Sequence, residues 1–282
     1  MTIKAFNKIN KIEKTKLLMS CCGSLTWVDM MMKQFPFTNK MDLIDASIDT
    51  WYNQCNSIDW LESFAHHPRI GDIKSLAKKF AGKEQASIAA AAKKMIRALA
   101  NANAAYEAKF GFIFIVCATG KTATEMLRLL EDRLSNTIGE ELHIAMGEQI
   151  KIMILRFQKL FTEGDWRFLK QSQLTTHVLD TALGKPGMDI SIRLQIPVNG
   201  VWQTIAQGIT NSDGRIADLL PSQLNLAQGN YKLVFDTGNY FATQKINGFY
   251  PEVEIQFIVF DNSHYHVPLL INPFGYSTYR GS

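Results

Sequence analysis

The feature that most constrains this chain is a change in hydrophobic period near residue 174. Before it, apolar residues recur every three or four positions, which is typical of amphipathic helices. After it, as in 188–196, they occupy every second position, which predicts strands with one buried face. A chain of 282 residues is long enough for two domains. We therefore predict an all-α domain at 1–165, a linker at 166–173 and an all-β sandwich at 174–282.

Within the first part, the pattern predicts helices at 87–108, 122–134 and 140–161, the second capped by Thr122 and the last ended by Gly164. The apolar run 112–116 is expected to be extended. In the second part we expect further strands, separated by turns such as Asn199-Gly200. Their positions are 201–205, 231–235, 253–258 and 266–270.

Composition narrows the class of protein. The net charge is +4, but the sequence contains no run of basic residues, so a nucleic-acid partner is not expected. No apolar stretch approaches the roughly 18 residues of a membrane span, and we expect neither a membrane partner nor a signal peptide. The cysteines form no C-x-x-C pair, which predicts free thiols in a reducing cytoplasm. They are Cys21, Cys22, Cys55 and Cys117.

A polar cluster, 66–72, lies in the helical part. Proline after His67 keeps this histidine out of the helical conformation, and an imidazole exchanges protons near neutral pH. On these residues alone, a helix end with an incidental histidine is the commoner interpretation. Gly120-Lys121-Thr122 ends like a phosphate-binding loop, but Ile115 stands where that motif needs its first glycine, so nucleotide binding is not expected.

Further residues place this cluster in a recognisable series. His67-Pro68-Arg69-Ile70-Gly71 is followed by Glu84-Gln85, the run 112–116 and Arg156. Over about residues 5–163 the series resembles the 2-oxo-4-hydroxy-4-carboxy-5-ureidoimidazoline (OHCU) decarboxylases, an all-helical family without a cofactor. The resemblance implies that His67 is catalytic and that the substrate is bound by Pro68, Glu84, Gln85, Ile113, Ile115 and Arg156. Ala81 and Thr119 depart from the family, which has Ser and Arg at these positions.

Three polar segments interrupt the strand pattern of the second part. They are 176–180 with His177, 212–215 with Arg215, and the end of the chain with His264, His266 and the sequence Tyr279-Arg280-Gly281-Ser282. Each alone is compatible with an ordinary surface position. In this order they resemble the 5-hydroxyisourate hydrolases, a transthyretin-like family, over about 174–282.

This second resemblance implies that His177, Arg215 and His266 are catalytic and that Tyr279 and Ser282 line the site. It places His264 at the surface or behind the site. A neutral imidazole would activate water and the arginine would stabilise the oxyanion. The resemblance also implies a homo-tetramer through this domain, with possible dimer contacts through the helical one.

Two alternatives remain open from the sequence. Transthyretin itself is a small-molecule carrier of this fold, although it lacks the His, Arg, His set. A zinc site could use His177, His264 and His266, but no acid or cysteine completes the usual ligand set. The whole chain resembles a fused allantoin synthase. This implies conversion of 5-hydroxyisourate to OHCU and then to (S)-allantoin, with no cofactor and no metal.

Overall fold

The structure is a computed structural model that describes residues 1–68, 86–162, 165–167, 169 and 172–281, without the side chains of 86–93. The chain forms two compact units. The first comprises Met1–Ile138 and Glu148–Phe168, and the second comprises Gly139–Gly147 and Leu169–Ser282. The functional boundaries at 165 and 174 stay a prediction. No helix among the described residues is long and apolar enough to cross a membrane.

Helices dominate the described residues up to 160, as the three-to-four-residue period predicted. They are α1 (Ile3–Lys8), α2 (Lys11–Cys21), α3 (Leu25–Lys33), α4 (Lys40–Asp49), a π-helical turn (Thr50–Gln54), α5 (Ser57–Ala65), α6 (Ala86–Phe110), α7 (Ala123–Arg133) and α8 (Ile138–Leu160). The helices predicted at 87–108, 122–134 and 140–161 are confirmed as α6, α7 and α8. The predicted stop at Gly164 lies outside the described residues, and α8 ends at Leu160.

Capping boxes fix the start of two of these helices. At α7, the Thr122 hydroxyl accepts from the Glu125 amide at 3.2 Å and the Glu125 carboxylate accepts from the Thr122 amide at 2.6 Å. Asn56 and Asp59 form the same arrangement at α5. Each box satisfies amides that lack a partner within the helix. The box at α5 matters for function because this helix leads directly to His67.

The core of the first unit is aromatic. Trp27, Trp51, Phe64 and Phe157 are fully buried. The ring of Phe64, near the end of α5, lies 5.4 Å from the ring of Phe112. The run 112–116 is buried but is neither helical nor part of a sheet. Large buried rings contribute strongly to packing, so this contact fixes the end of α5 against that run.

The second unit contains two sheets. The strands are β1 (Leu174–Asp180), β2 (Lys185–Pro186), β3 (Ser191–Val198), β4 (Val201–Ile209), β5 (Arg215–Ile216), β6 (Gly229–Phe235), β7 (Val253–Val259), β8 (Tyr265–His266), β9 (Leu269–Asn272) and β10 (Gly275–Thr278), with helix α9 (Thr237–Thr243) after β6. One sheet has the order β4-β3-β6-β7. The other has the order β10-β9-β1-β2, with β5 and β8 also paired to β1.

Alternating residues from both sheets form one apolar core. It includes Leu174 and Val178 of β1, Ile192 of β3 and Leu233 of β6, all fully buried. This confirms the predicted sandwich, since a period of two gives each strand one buried face. The hairpin at Asn199-Gly200 is also confirmed: both residues have positive φ, 51° and 80°, as a tight two-residue turn requires.

One strand prediction is wrong in detail. The segment 266–270 was expected to be a single strand, but it forms the end of β8 and the start of β9, with Val267-Pro268 between them. Pro268 has no amide hydrogen to donate to a sheet, so the ladder is interrupted there. Both short strands still pair in parallel with β1.

Candidate active sites

His67 lies just after α5 in the first unit. Its amide donates to the Phe64 carbonyl at 3.0 Å, which continues the helical turn up to the proline. The side chain is partly buried. Burial, and then the nearby cation of Arg156, lower the pKa of His67 to about 4, although Gln149 opposes the shift. The ring is therefore neutral at pH 7 and available to accept a proton.

The end of α2 connects α5 with α8 around this histidine. The Cys22 carbonyl accepts from the Ser63 hydroxyl of α5 and from Gln149 Nε2 of α8, the latter at 3.1 Å. The Cys21 carbonyl accepts from Arg156 Nη1 at 2.9 Å. These bonds hold the guanidinium and the carboxamide of α8 on the side of the unit where His67 lies.

Two buried polar atoms near this site make no hydrogen bond of ordinary geometry with the described residues, although the Gln149 side chain lies close enough to raise the pKa of His67. They are Nε2 of His67 and Oε1 of Gln149, and the Gln149 side chain is fully buried. Buried polar atoms are nearly always bonded, so unpaired ones indicate places where another molecule could bind. Sequence reasoning missed Gln149. Its position seven residues before Arg156, on the same helical face, was the available signal.

The apolar run 112–116 is held by polar contacts to its backbone. Arg133 Nη1 donates to the Ile115 carbonyl at 2.9 Å, and the Cys117 amide donates to the buried Glu148 carboxylate at 2.6 Å. The side chains of Ile113 and Ile115 are buried. Their binding roles, and that of Pro68, stay predictions. Glu84 and Gln85 lie outside the described residues, as does Ala81.

In the second unit, the register of β1 brings the predicted residues together. His177 lies opposite Arg215 in the antiparallel pair β1–β5, and Thr175 is aligned with His266 in the parallel pair β1–β8. Directly paired residues project to the same face of a sheet, and so do residues two apart on one strand. His177, Arg215 and His266 therefore share one face, and their catalytic role stays a prediction.

The charges at this face favour neutral imidazoles. Burial lowers the pKa of His177, the Arg215 guanidinium lowers it further, and Asp213 opposes the shift. Burial also lowers the pKa of His266, followed by the charges of Arg215, His264 and His177. Both rings are thus neutral at pH 7 beside a charged guanidinium. The site combines proton acceptors with a fixed cation.

A tight turn delivers Arg215 to this position. The Asn211 carboxamide oxygen accepts from the amides of Asp213 at 3.0 Å and Arg215 at 2.9 Å. Gly214 has φ +70°, and its carbonyl accepts from the Val178 amide at 2.8 Å. A Cβ at Gly214 would collide with the Val178 carbonyl, so only glycine permits this approach of the turn to β1.

Thr175 is a site residue that sequence reasoning missed. Its hydroxyl lies 2.9 Å from Nδ1 of His266 and 3.0 Å from Nε2 of His264. The two imidazole rings are nearly parallel, with centroids 6.5 Å apart. His264 is exposed, at the edge of the site. The position of Thr175 two residues before His177, on the same strand face, was the available signal.

The end of the chain folds back on His266. The Gly281 amide donates to the His266 carbonyl at 2.9 Å, and a side chain at Gly281 would collide with the imidazole of His266. Arg280 stacks over the Tyr265 ring at 5.4 Å. Tyr279 is 59% exposed, and its predicted lining role stays a prediction. Ser282 lies outside the described residues. In the part of the chain that the structure describes, no group of three His, Cys, Asp or Glu side chains is arranged to hold a metal.

Comparison with known proteins finds a different family model for each part of the chain. The family model described as OHCU decarboxylase matches residues 7–158, and the one described as HIUase/Transthyretin family matches residues 174–281. The uric acid degradation bifunctional protein TTL of Arabidopsis thaliana is 33% identical over 93% of this chain and 96% of its own length. A 5-hydroxyisourate hydrolase of Salmonella dublin is 43% identical over 39% of this chain and 80% of its own.

The whole chain also aligns with a crystal structure of (S)-allantoin synthase at 24% identity, with 100% of both chains covered and a TM-score of 0.46. The two family models and the Arabidopsis relative cover both parts of the chain in the same order. The chain therefore belongs to the OHCU decarboxylase family through residues 7–158 and to the HIUase/transthyretin family through residues 174–281.

Proposed function

We propose that this chain is a bifunctional enzyme of urate degradation. Its C-terminal domain, 174–282, hydrolyses 5-hydroxyisourate to OHCU. Its N-terminal domain, 1–165, decarboxylates OHCU to (S)-allantoin. The observation that carries the first activity is the placement of His177, Arg215 and His266 on one face of a sheet. A small-molecule carrier would not need two neutral imidazoles beside a guanidinium, so this placement favours the enzyme over the carrier.

Hydrolysis of 5-hydroxyisourate needs a nucleophile and a stabilised oxyanion. One imidazole removes a proton from water, and the oxygen of that water attacks the ring carbonyl. The guanidinium of Arg215 faces the negative charge that develops on the carbonyl oxygen. The proton taken by the imidazole then passes to the nitrogen that leaves. The lowered histidine pKa values keep the base neutral before the reaction starts.

Decarboxylation of OHCU needs a held carboxylate and a controlled proton. Arg156 supplies a cation near His67, and its guanidinium fork suits a carboxylate. His67 is neutral and has an unpaired Nε2, which fits proton transfer to or from the reacting ring. The family resemblance assigns Glu84 and Gln85 to substrate binding, and hydrogen bonds from Gln85 would orient the ureido arm. Neither reaction calls for a cofactor or a metal.

The proposal also covers the compartment and the oligomeric state of the enzyme. Four free, buried cysteines support a reducing compartment, the cytoplasm. The family resemblance supports a homo-tetramer through the C-terminal domain, with further dimer contacts through the N-terminal one. Size-exclusion chromatography with light scattering measures this directly. A monomer at micromolar concentration would contradict the proposed oligomer but would not bear on the two proposed reactions.

Freshly made 5-hydroxyisourate tests both activities in one sample. Ultraviolet absorbance follows the loss of the substrate, and circular dichroism follows the optically active product. The chain should accelerate the loss and then produce a growing dichroic signal. If the absorbance decays at the rate of the buffer control, the hydrolase assignment is wrong. If it decays quickly but the product stays racemic, the decarboxylase assignment is wrong.

A further inference from the structure

The hydroxyl of Thr175 lies between two imidazoles and carries a single proton. It is 2.9 Å from Nδ1 of His266 and 3.0 Å from Nε2 of His264. The hydroxyl can donate that proton to only one of the two nitrogens. The other nitrogen must then bring its own hydrogen, with the hydroxyl oxygen as acceptor. The choice of which nitrogen carries the hydrogen in one ring is therefore linked to the same choice in the other ring through Thr175.

Only one of the two arrangements leaves His266 able to act as a base. If the hydroxyl donates to His266, Nδ1 is the acceptor and Nε2 carries the ring hydrogen, so neither nitrogen is free. If the hydroxyl donates to His264, Nδ1 of His266 carries the hydrogen and Nε2 has an unshared electron pair. The hydrogen bond at one ring nitrogen thus sets the chemistry of the other.

From this geometry we infer that Thr175 is a positioning residue of the hydrolase: its hydroxyl accepts from Nδ1–H of His266 and donates to Nε2 of His264, which keeps Nε2 of His266 free to deprotonate water. The inference rests on the proposed hydrolase function and adds the assignment of His266 as the base. Thr175 itself does not touch the substrate.

The proton balance of the step is simple. Water loses a proton to Nε2 of His266 while its oxygen bonds to the ring carbonyl carbon, and the proton later moves from Nε2 to the leaving nitrogen. The protons on Nδ1 and on the Thr175 hydroxyl stay in place. When Nε2 is protonated, Nδ1–H donates from a cation, and such charge-assisted bonds are the stronger ones. Thr175 therefore stabilises the imidazolium that forms.

The backbone supports this arrangement. The Thr175 carbonyl accepts from the Val267 amide at 3.0 Å, which aligns the two strands on either side of the histidine. The groups that face His266 are Arg215 on β5, His177 on β1 and His264 before β8, and all of them disfavour a charged ring. Against these, a hydrogen bond to the Thr175 backbone favours the protonated form. Thr175 thus opposes the electrostatics of the rest of the site.

Kinetics of the full-length chain test the inference. Thr175→Val keeps the shape of the side chain and removes the hydroxyl, whereas Thr175→Ser keeps the hydroxyl. We expect Thr175→Val to lower kcat for hydroxyisourate about 10- to 100-fold with little change in KM, as expected for one lost hydrogen bond to an ion. Thr175→Ser should restore most of kcat. Thr181→Val is the control, because the Thr181 hydroxyl donates to a backbone carbonyl of the same sheet, that of Ile271. This variant should keep the kcat of the original chain.

The pH profile distinguishes positioning from packing. The Thr175 backbone stays in place in Thr175→Val, but the hydroxyl that accepts from Nδ1–H of the protonated ring is lost. The acidic limb of kcat/KM should therefore move to lower pH in this variant. His264→Ala should lower kcat about 2- to 10-fold, since it removes a neutral hydrogen bond. Added to Thr175→Val, it should cause no further loss, because the two residues act through one chain of bonds.

Several results would overturn the inference. They are an unchanged kcat and acidic limb in Thr175→Val, equal losses in the Val and Ser variants, or additive losses in the double variant. If Thr175→Val does not fold, the exposed His264→Ala and the Ser variant still decide the question through the same pH profile. Normal hydrolysis by His266→Ala would instead overturn the proposed site, and the inference with it.

Discussion

His177 lies directly opposite Arg215 across the antiparallel pair of β1 and β5. Such paired residues have neighbouring side chains, and here the neighbour of an imidazole is a guanidinium. Burial and then this cation lower the pKa of the imidazole. In the proposed reaction the same cation would stabilise the oxyanion. One strand pairing thus arranges two parts of the proposed hydrolysis.

Replacement of this arginine should separate activity from stability. We expect Arg215→Lys to lower hydroxyisourate turnover about 10²- to 10³-fold, because an ammonium does not reproduce the planar fork that faces the oxyanion. Urea unfolding should change little. Arg193→Lys is the matched control, since Arg193 forms an ordinary ion pair with Glu252 at 2.6 Å. Near-normal turnover in Arg215→Lys would mean that this arginine is a solvated turn residue.

The two site histidines should titrate below the ordinary imidazole value of about 6.5. NMR titration of the histidine ring protons measures this in the full-length chain. Arg215→Gln removes a cation that lowers both pKa values, so both should rise. Asp213→Asn removes a carboxylate that raises the pKa of His177. The shift of His266 comes from other groups. Only His177 should then shift, to lower pH. A shift of His266 alone in Asp213→Asn would contradict the geometry.

His67→Asn should separate the two proposed activities. The second unit does not contain His67, so hydroxyisourate should disappear at the normal rate. OHCU should then accumulate and lose CO2 without the enzyme, which gives racemic allantoin because solvent can protonate either face. Combined absorbance and circular dichroism measure both steps. His143→Asn, an exposed histidine on α8, serves as the control. Optically active allantoin formed at the normal rate by His67→Asn would remove this histidine from the site.

The neutral state of His67 also predicts a dependence of stability on pH. Above about 6.5 neither the folded nor the unfolded form of His67 is protonated, so the full stability is present. As the pH falls from 6.5 to about 4, the unfolded state takes the proton first and the fold loses stability. The loss is on the order of 3 kcal/mol over this window. Urea unfolding should show a weaker pH dependence in His67→Asn than in the original chain.

Gly214 should be far less replaceable than another glycine of positive φ. Gly200 has φ +80° and nothing within 4 Å of an added Cβ, so Gly200→Ala should cost about 1 kcal/mol of strain. At Gly214 the same strain is joined by a collision with the Val178 carbonyl. Gly214→Ala should cost about 1–3 kcal/mol more than the control and reduce hydrolysis, as Arg215 moves. Equal thermal stability of the two variants would contradict this.

Local chemistry explains which features could be predicted from the sequence. The capping box at Thr122 and Glu125, the Asn199-Gly200 turn and the buried face of β3 depend on residues close together in the chain. His67 and Arg156 were placed through their order in a family series, and the structure brings them within electrostatic reach. Glu84, Gln85 and Ser282 stay predictions of the same kind.

Other features depended on contacts between distant segments. The register that sets Arg215 beside His177 follows from strand pairing, and a slip of one residue would turn one side chain to the opposite face. The break at Pro268 is defined by the pairing of β1 with two separate strands, β8 before this proline and β9 after it. The bond from Gln149 to Cys22, and the hydroxyl of Thr175 between two histidines, join residues far apart in the chain. The sequence alone determined the two periods, the caps and the residue types at the sites, because these arise from neighbouring residues. Only the tertiary structure decided which polar groups share protons, because hydrogen bonds require distances of about 3 Å that residue order does not specify.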